Sequence, residues 1–441
     1  MPVRYVPAIL VGRIVRALAR WRKPGGGSAI PGLVVNRIAP GFLTTTLNGF
    51  PQGLVVVTGS SGKSTTTKML VAILRAHGTS VFTNSSTANI SQGLTSALLE
   101  QVGLTGRMSD DIGVLEMDEG HGALISGGLT PRVVALTNVM VDQIDRFHDS
   151  DMVAALLAKI AARATETVVL NADDQFLVEV GAGLAATVSV APYGVSADVL
   201  EANPRGLGYA RTARERLVPG TGTLVTRSAG RVADVSMSGA SSGSGSGSGS
   251  GSAEPAPTLT IELPARGTHY AVDAATALAT ARAALGNRFD STIAAAALST
   301  IPAVFGRGEI VTVRGQQVEF VLVQNPASFQ LNVDALEPHT EQILIAIGSD
   351  VRDPSYFWPV DTSGMEHVLI ASGSKAHQIA LQLAYDDVRV DRIEPDVPTA
   401  LDAFLALPAP EHGIKTIIFS ADGMRRTRAH LGLATNDEEQ S

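Results

Sequence analysis

The sequence contains no cysteine among its 441 residues. This absence excludes disulfide bonds, thiolate metal sites and a cysteine nucleophile supplied by the chain itself. Aromatic residues make up only 5% of the chain, whereas alanine and glycine are frequent, which favours α/β packing with small residues between helices and sheet. The net charge of −8 argues against general nucleic-acid binding, so we expect no nucleic-acid partner.

Long apolar runs are also missing, and no window approaches the roughly 18 apolar residues of a membrane span. The first 23 residues nevertheless carry six basic residues and no acid, with apolar residues near helical spacing. A secretory signal peptide needs a longer uninterrupted apolar core, and Arg13 breaks the run. We expect a basic amphipathic segment over residues 1–37. Either its helix packs on its own domain, or it rests on an anionic membrane surface.

The length predicts two or three domains. From Leu54 onward, short apolar runs that end in polar residues alternate with helical stretches. This alternation predicts an α/β fold with a doubly wound parallel sheet in a central domain over residues 38–304. Ligands of such folds bind beyond the carboxyl ends of the strands, so the polar residues at those ends form the candidate site.

Two further segments interrupt or follow this pattern. Residues 240–257 read ASSGSGSGSGSGSAEPAP and predict a flexible low-complexity tract. The stretch IPAVFGRGE is expected to form a hinge, which puts the last domain boundary near Val304. From Ile310 a second series of apolar runs alternates with helical stretches, which predicts a smaller C-terminal α/β domain over residues 305–441.

The segment VVVTGSSGKSTTTKML, from Val55 to Leu70, combines a strand, a Gly-rich turn and the start of a helix. Main-chain N–H groups in such a turn bind phosphate oxygens, and the lysine and a following hydroxyl serve phosphate and Mg²⁺. Val57 stands where the standard eight-residue phosphate loop has glycine. The candidate nucleotide-binding residues here are Gly59, Ser60, Ser61, Gly62, Lys63, Ser64 and Thr65.

Carboxylates follow another strand in the stretch VLEMDEG. Mg²⁺ prefers oxygen ligands, and a carboxylate at a strand end of a doubly wound sheet can point towards the metal. We therefore expect Glu116, together with Ser64 or Thr65, to hold Mg²⁺. Alternatively, Glu116 and its neighbours Asp118 and Glu119 belong to a solvated acidic loop.

The motif TGSSGKSTTT resembles the GTNGKTTTT loop of the Mur ligase family, which joins amino acids to peptidoglycan precursors with ATP. Further segments are similar to the branch of MurT-type subunits of lipid II isoglutaminyl synthase. They are TNSSTANISQGLTSALLE, LEMDEG, TNVMVDQIDRFHD, VLNADD, FGRGE, LVQNPASF and RDPSYFWPVD. The ordered set runs from about Gly32 to Leu433.

The resemblance implies an ATP-dependent ligase that phosphorylates the D-glutamate α-carboxylate of the lipid II stem peptide. Ammonia then attacks the acyl phosphate and gives D-isoglutamine. Lys63 is expected to stabilise the transferred phosphoryl group. The resemblance also implies that Arg307 contacts phosphate or ribose as the domains close. The residues that it assigns to the lining of the nucleotide or substrate cleft are Asn138, Asn171, Asp173 and Asp174.

The resemblance also implies a partner, because ammonia in this branch comes from a separate GatD-type glutaminase subunit whose cysteine attacks glutamine. A chain without cysteine agrees with that requirement. Asp353 in RDPSYFW matches the aspartate thought to orient the partner's Cys–His pair; alternatively it only caps a turn. The resemblance implies a cytoplasmic enzyme, and contact with the inner face of the membrane stays open.

Three departures from the family pattern are visible. The four-cysteine zinc ribbon of many relatives is missing, so no zinc site is expected. The helix HYAVDAATALA has Ala271, Asp273 and Ala274 where relatives carry asparagines that can contact adenine, and His269 is expected to be a packing or surface residue. Gln143 replaces the histidine of the D-H-L-D motif, which agrees with the isoglutaminyl branch.

Two alternatives remain open on the sequence. The chain could be another Mur-like ligase that adds an amino acid, of the folylpolyglutamate or cyanophycin type. It could also be a non-catalytic nucleotide-binding scaffold for a partner protein, although Lys63 and Glu116 argue against that.

Overall fold

A computed structural model describes residues 5–22, 29–84, 90–140, 149–209, 222–238, 257–303, 305–353 and 357–434. The chain begins with three helices, α1 (Val6–Arg22), α2 (Ala29–Ile38) and α3 (Phe42–Leu47). Tyr5, Ala8 and Ile9 are buried in a core that they share with α2, α3 and the following sheet. The N-terminal helix therefore packs on its own protein through one face.

The first sheet explains why the site lies where it does. Its strands are β1 (Leu54–Thr58), β2 (Val81–Thr83), β3 (Ile112–Met117), β4 (Val133–Leu136), β5 (Thr167–Asn171), β6 (Ser189–Val195), β7 (Thr223–Ala229), β8 (Val232–Met237) and β9 (Thr258–Glu262). They run in the order β2-β3-β1-β4-β5-β6-β7-β8-β9. Strands β2 to β7 are parallel along this order, and β7, β8 and β9 pair antiparallel.

Helices cover both faces of this sheet, as its apolar strands require. They are α4 (Lys63–Ala76), α5 (Ser91–Gln101), α6 (Glu119–Ile125), α7 (Ser150–Ala161), α8 (Gln175–Ala182), α9 (Ala197–Glu201), α10 (Thr268–Leu285) and α11 (Ser291–Ser299), with short 3-10 turns at Ser126–Gly128 and Gly286–Arg288. Strand side chains alternate between the faces. Val55 and Val57 pack with α4 and α10, while Leu54 and Val56 pack with α3 and α5 on the other face.

The second sheet belongs to the C-terminal part of the chain. Its strands are β10 (Arg307–Val313), β11 (Gln316–Leu322), β12 (Ile343–Ala346), β13 (His367–Ser372), β14 (Arg389–Glu394) and β15 (Lys415–Phe419), in the order β10-β11-β15-β12-β13-β14. All neighbours are parallel except the β10–β11 hairpin. Its helices are α12 (Pro326–Asp334), α13 (Ala376–Tyr385), α14 (Val397–Ala406) and α15 (Ala421–His430).

The α/β architecture, with a large doubly wound parallel sheet and a smaller second sheet, is confirmed. The antiparallel extension β7–β9 and the edge strand β14 were not predicted. The Gly-Ser tract joins β8 to β9, which are neighbours in one sheet, and the tract lies outside the described residues apart from Pro257. The boundaries at 37/38 and near Val304 stay predictions. In the described part of the chain, none of the helices has the length and apolar character needed to span a membrane.

Candidate functional site

The Gly-rich turn lies between β1 and α4, at the carboxyl edge of the large sheet. Gly59 and Gly62 have φ angles of +135° and +80°, which L side chains rarely adopt. Neighbouring atoms also leave no room for a side chain. A Cβ at Gly59 would lie 2.2 Å from Thr137 Oγ1, and a Cβ at Gly62 would lie 2.2 Å from Asp273 Oδ1. Glycine is required at both positions, and the start of α4 provides N–H groups suited to an anion.

Asn138, which follows β4, holds this turn in place. Its carbonyl oxygen accepts from Ser60 N at 2.9 Å, its Oδ1 accepts from Ser61 N at 2.9 Å, and its Nδ2 donates to Ser61 O at 3.2 Å. Ser60 Oγ also bridges the main chain of Met140. The structure thus brings Asn138 to the candidate site as a clamp on the turn.

Lys63 begins α4 and lies over the turn. Its ammonium group donates to the carbonyl oxygens of Gly59 and Ser60, the latter at 3.0 Å. Glu119 Oε2 lies 3.4 Å from Nζ. Glu119 is buried, so the alternative of a solvated acidic loop is wrong for this residue. Asp118 is buried as well, because it caps α6 by accepting from His121 N.

Ser64 and Glu116 meet below the turn. Ser64 Oγ donates to Glu116 Oε1 at 2.9 Å, and both residues are buried. Asn84 fixes the main chain of Glu116 through two hydrogen bonds of 3.0 Å. A hydroxyl and a carboxylate offer only oxygen atoms, which is the ligand chemistry that Mg²⁺ prefers. Thr65 is buried beside α10 instead, where its hydroxyl interacts with Asp273.

Asn171, Asp173 and Asp174 are buried at the end of β5 and bind main chain. Asn171 Oδ1 accepts from Asp173 N, and Asp173 Oδ2 accepts from Val195 N at 2.7 Å. Asp174 caps α8 and accepts from Val139 N at 2.6 Å, next to the clamp residue Asn138. These side chains support the strand ends around the turn. Their contact with nucleotide or substrate stays a prediction.

A small cleft lies between the turn and the C-terminal part of the chain. Its lining includes Ser61 and Gly62 of the turn, His269 and Asp273 of α10, and Ser328 and Asn332 of α12. Ion pairs join the two parts beside it. Arg205 binds Asp334 at 2.9 Å and Asp361 at 2.6 Å, and Arg266 binds the buried Glu319. The cleft is therefore bounded by both sheets' domains.

Charged and polar groups of the cleft have shifted ionisation. Burial raises the pKa of Asp273 well above its ordinary value, and the Arg307 guanidinium and the Thr66 and Thr65 hydroxyls oppose the shift. Burial lowers the pKa of His269 to about 4. The His269 ring packs against Tyr270, with ring centroids 4.3 Å apart. His269 thus packs as expected, but it also lines the cleft, which the sequence did not reveal.

Three further residues from the sequence analysis remain to be placed: Arg307, Asp353 and Gln143. Arg307, at the start of β10, donates to Gln324 Oε1 at 3.3 Å and acts electrostatically on Asp273. Asp353 is exposed in the segment after β12 and is the last residue of the described range 305–353. Gln143 also lies outside the described residues. Within the described ranges, no group of three or more His, Asp or Glu is arranged to hold a metal ion.

Comparisons with known proteins agree with this geometry. The family model of the Mur ligase middle domain matches residues 57–213, which include the Gly-rich turn, and the model of the MurT ligase C-terminal domain matches residues 322–418. The lipid II isoglutaminyl synthase (glutamine-hydrolyzing) subunit MurT of Staphylococcus aureus is 29% identical over 151 residues, 34% of this chain and 33% of that protein. The same subunit of Streptococcus pneumoniae is 33% identical over 153 residues, with the same shares.

The chain thus aligns with about one third of the length of these curated relatives. The MurF ligase of Thermotoga maritima in complex with ADP has a TM-score of 0.62 to this structure, with 17% identity, over 91% of this chain and 83% of that chain. At this identity the likeness shows the fold alone. The two domain matches follow the order of the two sheets along the chain: residues 57–213 are similar to the Mur ligase middle domain, and residues 322–418 are similar to the MurT ligase C-terminal domain.

Proposed function

We propose that the chain is an ATP-dependent carbon–nitrogen ligase of peptidoglycan synthesis. In its specific form, the proposal is amidation of the D-glutamate α-carboxylate of the lipid II stem peptide to D-isoglutamine. The observation that carries it is the coexistence, on one chain, of the Gly-rich turn with its Ser64–Glu116 pair and a MurT-type C-terminal domain. The names of the Staphylococcus and Streptococcus relatives support the substrate class.

The residues fit ATP and Mg²⁺. The turn accepts only glycine at positions 59 and 62, which lets main chain approach a phosphate group closely. Ser64 Oγ and Glu116 Oε1 would hold Mg²⁺, which would neutralise charge on the phosphates. Lys63 lies next to them and would stabilise the phosphoryl group in the transition state of its transfer. Its ammonium group is already oriented by Glu119 and by the carbonyls of the turn.

The chemistry proceeds in two displacements. A carboxylate oxygen of D-glutamate attacks the terminal phosphorus of ATP, and ADP leaves. Ammonia then attacks the carbonyl carbon of the acyl phosphate, loses a proton and expels inorganic phosphate, which leaves a carboxamide. A free carboxylate is a poor electrophile, so phosphorylation supplies the leaving group. The protein contributes positioning and charge stabilisation.

The ammonia source in this proposal is a GatD-type glutaminase subunit in a heterodimer. The chain has no cysteine and so cannot form a thioester with glutamine itself. The relatives' names include glutamine hydrolysis and the word subunit. Asp353 is exposed on the MurT-type domain, where a partner's Cys–His pair could use its carboxylate.

A nucleophile-exchange assay tests the proposal. Lipid II, ATP and Mg²⁺ are incubated with the chain and with either isotope-labelled ammonium or a panel of amino acids, and the stem peptide is analysed by mass spectrometry. The proposal expects label in one carboxamide with ammonium and no adduct with amino acids. An amino-acid adduct would show an amino-acid-adding ligase instead. If both products are missing while ATP still binds, the scaffold alternative is correct.

A further inference from the structure

Helix α1 has two apolar faces, and among the residues that the structure describes only one of these faces is packed against other elements. On the inner face, Ala8 and Ile9 are buried, and a Cβ at Gly12 would meet Val35 of α2 and Leu99 of α5 within 2.8 Å. The helix is thus packed tightly onto α2 and α5. This packing fixes which face points outward.

The outer face is an apolar stripe, which consists of Pro7, Leu10, Val11, Ile14, Ala17, Leu18 and Trp21. These residues recur every three or four positions, so they share one side of the helix. All are exposed, and the large side chains Ile14, Leu18 and Trp21 are 60%, 58% and 88% exposed. A continuous exposed apolar stripe on a packed helix is typical of a surface that binds a protein or a membrane.

The positive charge of the N-terminal part of the chain indicates which kind of surface binds the stripe. Glu100 is the first acidic residue of the chain, and ten Lys and Arg precede it, although the whole chain has 42 acidic and 34 basic residues. Arg13 binds the carbonyl oxygens of Leu99 and Val102 at the end of α5, and Arg16 pairs with Glu100. The sequence adds arginines at positions 20 and 22 of the same helix, and Arg37 is exposed on α2.

We propose that the apolar stripe of α1 lies on the surface of an anionic lipid membrane. An exposed apolar face on a helix whose charged residues are all arginines, with a tryptophan near one end, has the chemistry of an interfacial helix. A second copy of the chain fits poorly, because two such basic helices would repel each other. The inference extends the proposed ligase to a membrane-bound substrate, but its test needs neither nucleotide nor lipid II, so the two fail independently.

The first experiment uses Trp21 as a reporter. The chain has two tryptophans, Trp21 and Trp358. The Trp358→Phe variant therefore has Trp21 as its single tryptophan, and the Trp21→Phe variant has Trp358. We expect the emission of Trp21 to shift to the blue with vesicles of phosphatidylglycerol and phosphatidylcholine, and the shift to fade as salt screens the attraction. Trp358 emission should not change. Pure phosphatidylcholine vesicles should have little effect on either variant.

The second experiment measures cosedimentation of the full chain with the same anionic vesicles. Replacing two stripe residues, Ile14→Ser with Leu18→Ser, should lower the partition coefficient by about tenfold or more, because less apolar surface enters the lipid. The matched control is Leu381→Ser on α13, where the leucine is 52% exposed. Equal thermal midpoints of all variants establish that folding is unaffected.

Several results would overturn the proposal. They are an unchanged Trp21 spectrum with anionic vesicles, equal binding to neutral vesicles, or no effect of the two serine substitutions. A blue shift that grows with protein concentration alone would assign the stripe to a second copy of the chain. A shift caused by a glutaminase subunit without vesicles would assign it to a protein interface.

Discussion

The carboxyl oxygen Oδ1 of Asp273 lies against Gly62, so close that a Cβ on that glycine would be 2.2 Å away. The two residues are far apart in sequence and join the Gly-rich turn to helix α10. Burial raises the pKa of Asp273, and the Arg307 guanidinium opposes the shift. The turn that is proposed to bind phosphate is therefore packed directly against a buried acid of the cleft.

Gly62→Ala should damage the turn, whereas Gly78→Ala is its matched control. Gly78 has a similar φ of +75°, but a Cβ there would meet nothing within 4 Å. Both variants should lose about 1–2 kcal/mol of unfolding free energy for the left-handed backbone, and Gly62→Ala should lose more because its methyl group meets Asp273. Ligase activity should fall roughly a hundredfold only in Gly62→Ala. Chemical denaturation and turnover assays measure the two effects, and equal behaviour of the variants would contradict the packing argument.

Ser64→Ala and Glu116→Gln should each weaken Mg²⁺ binding, so that turnover needs a higher Mg²⁺ concentration. Because the two side chains share a hydrogen bond of 2.9 Å, removing either should lower the apparent Mg²⁺ affinity by at least about tenfold, and the double variant should lose little more. Magnesium titrations of ATP turnover measure this. Ser80→Ala is the control, since Ser80 makes an equivalent bond to Asp111 at an exposed site. If the Ser64→Ala variant has the same magnesium titration curve as the Ser80→Ala control, Ser64 does not hold Mg²⁺.

Asp353→Asn should separate the two sources of ammonia. With the proposed glutaminase subunit and glutamine, amidation should fall by about a hundredfold or more, because the proposal has the Asp353 carboxylate orient the imidazole of that partner. Amidation with ammonium should persist. Asp387→Asn is the control, since Asp387 is exposed in the same domain and asparagine tolerates its φ of 59°. Loss of both activities in Asp353→Asn would place Asp353 in the ligase site.

His269 should make the protein less stable in mild acid. Burial lowers its folded-state pKa from 6.5 to about 4, so between these values the unfolded chain binds more protons. Unfolding free energy should therefore decrease as the pH falls from about 6.5 to 4, by at most about 3 kcal/mol. His269→Gln should reduce this loss, whereas His377→Gln, at an exposed position, should not. Denaturation at several pH values measures it, and parallel curves for wild type and His269→Gln would contradict the assignment.

The sequence predicts the elements whose patterns are strong. Buried parallel strands such as β1 and β3 are continuous apolar runs, so their place in a doubly wound sheet follows from composition and order. Strand β14 reads Arg-Val-Asp-Arg-Ile-Glu and is largely exposed at the sheet edge, so it has no apolar run to reveal it. Strands β7 and β8 also mix polar and apolar residues, so they too lack a continuous apolar run in the sequence.

The candidate site is predictable where local motifs form it and not where tertiary packing does. The turn and Lys63 follow from one motif, and the strand-end position of Glu116 suggests its meeting with Ser64. The contact of Asp273 with Gly62 and the position of His269 in the cleft depend on how α10 packs beside α4. No sequence spacing encodes that contact. Asn138 shows a third case, because it was expected to line the nucleotide or substrate cleft, whereas its hydrogen bonds to the Gly-rich turn were not expected.

Calorimetric titration with a non-hydrolysable ATP analogue and Mg²⁺ tests the central claim most directly. We expect saturable binding to the wild-type chain, loss of most of that affinity in Lys63→Ala, and no change in Lys159→Ala, which alters an exposed lysine of α7. If the wild-type chain gives no heat of binding, or if Lys63→Ala binds as tightly as Lys159→Ala, the Gly-rich turn does not hold a triphosphate and the account is wrong.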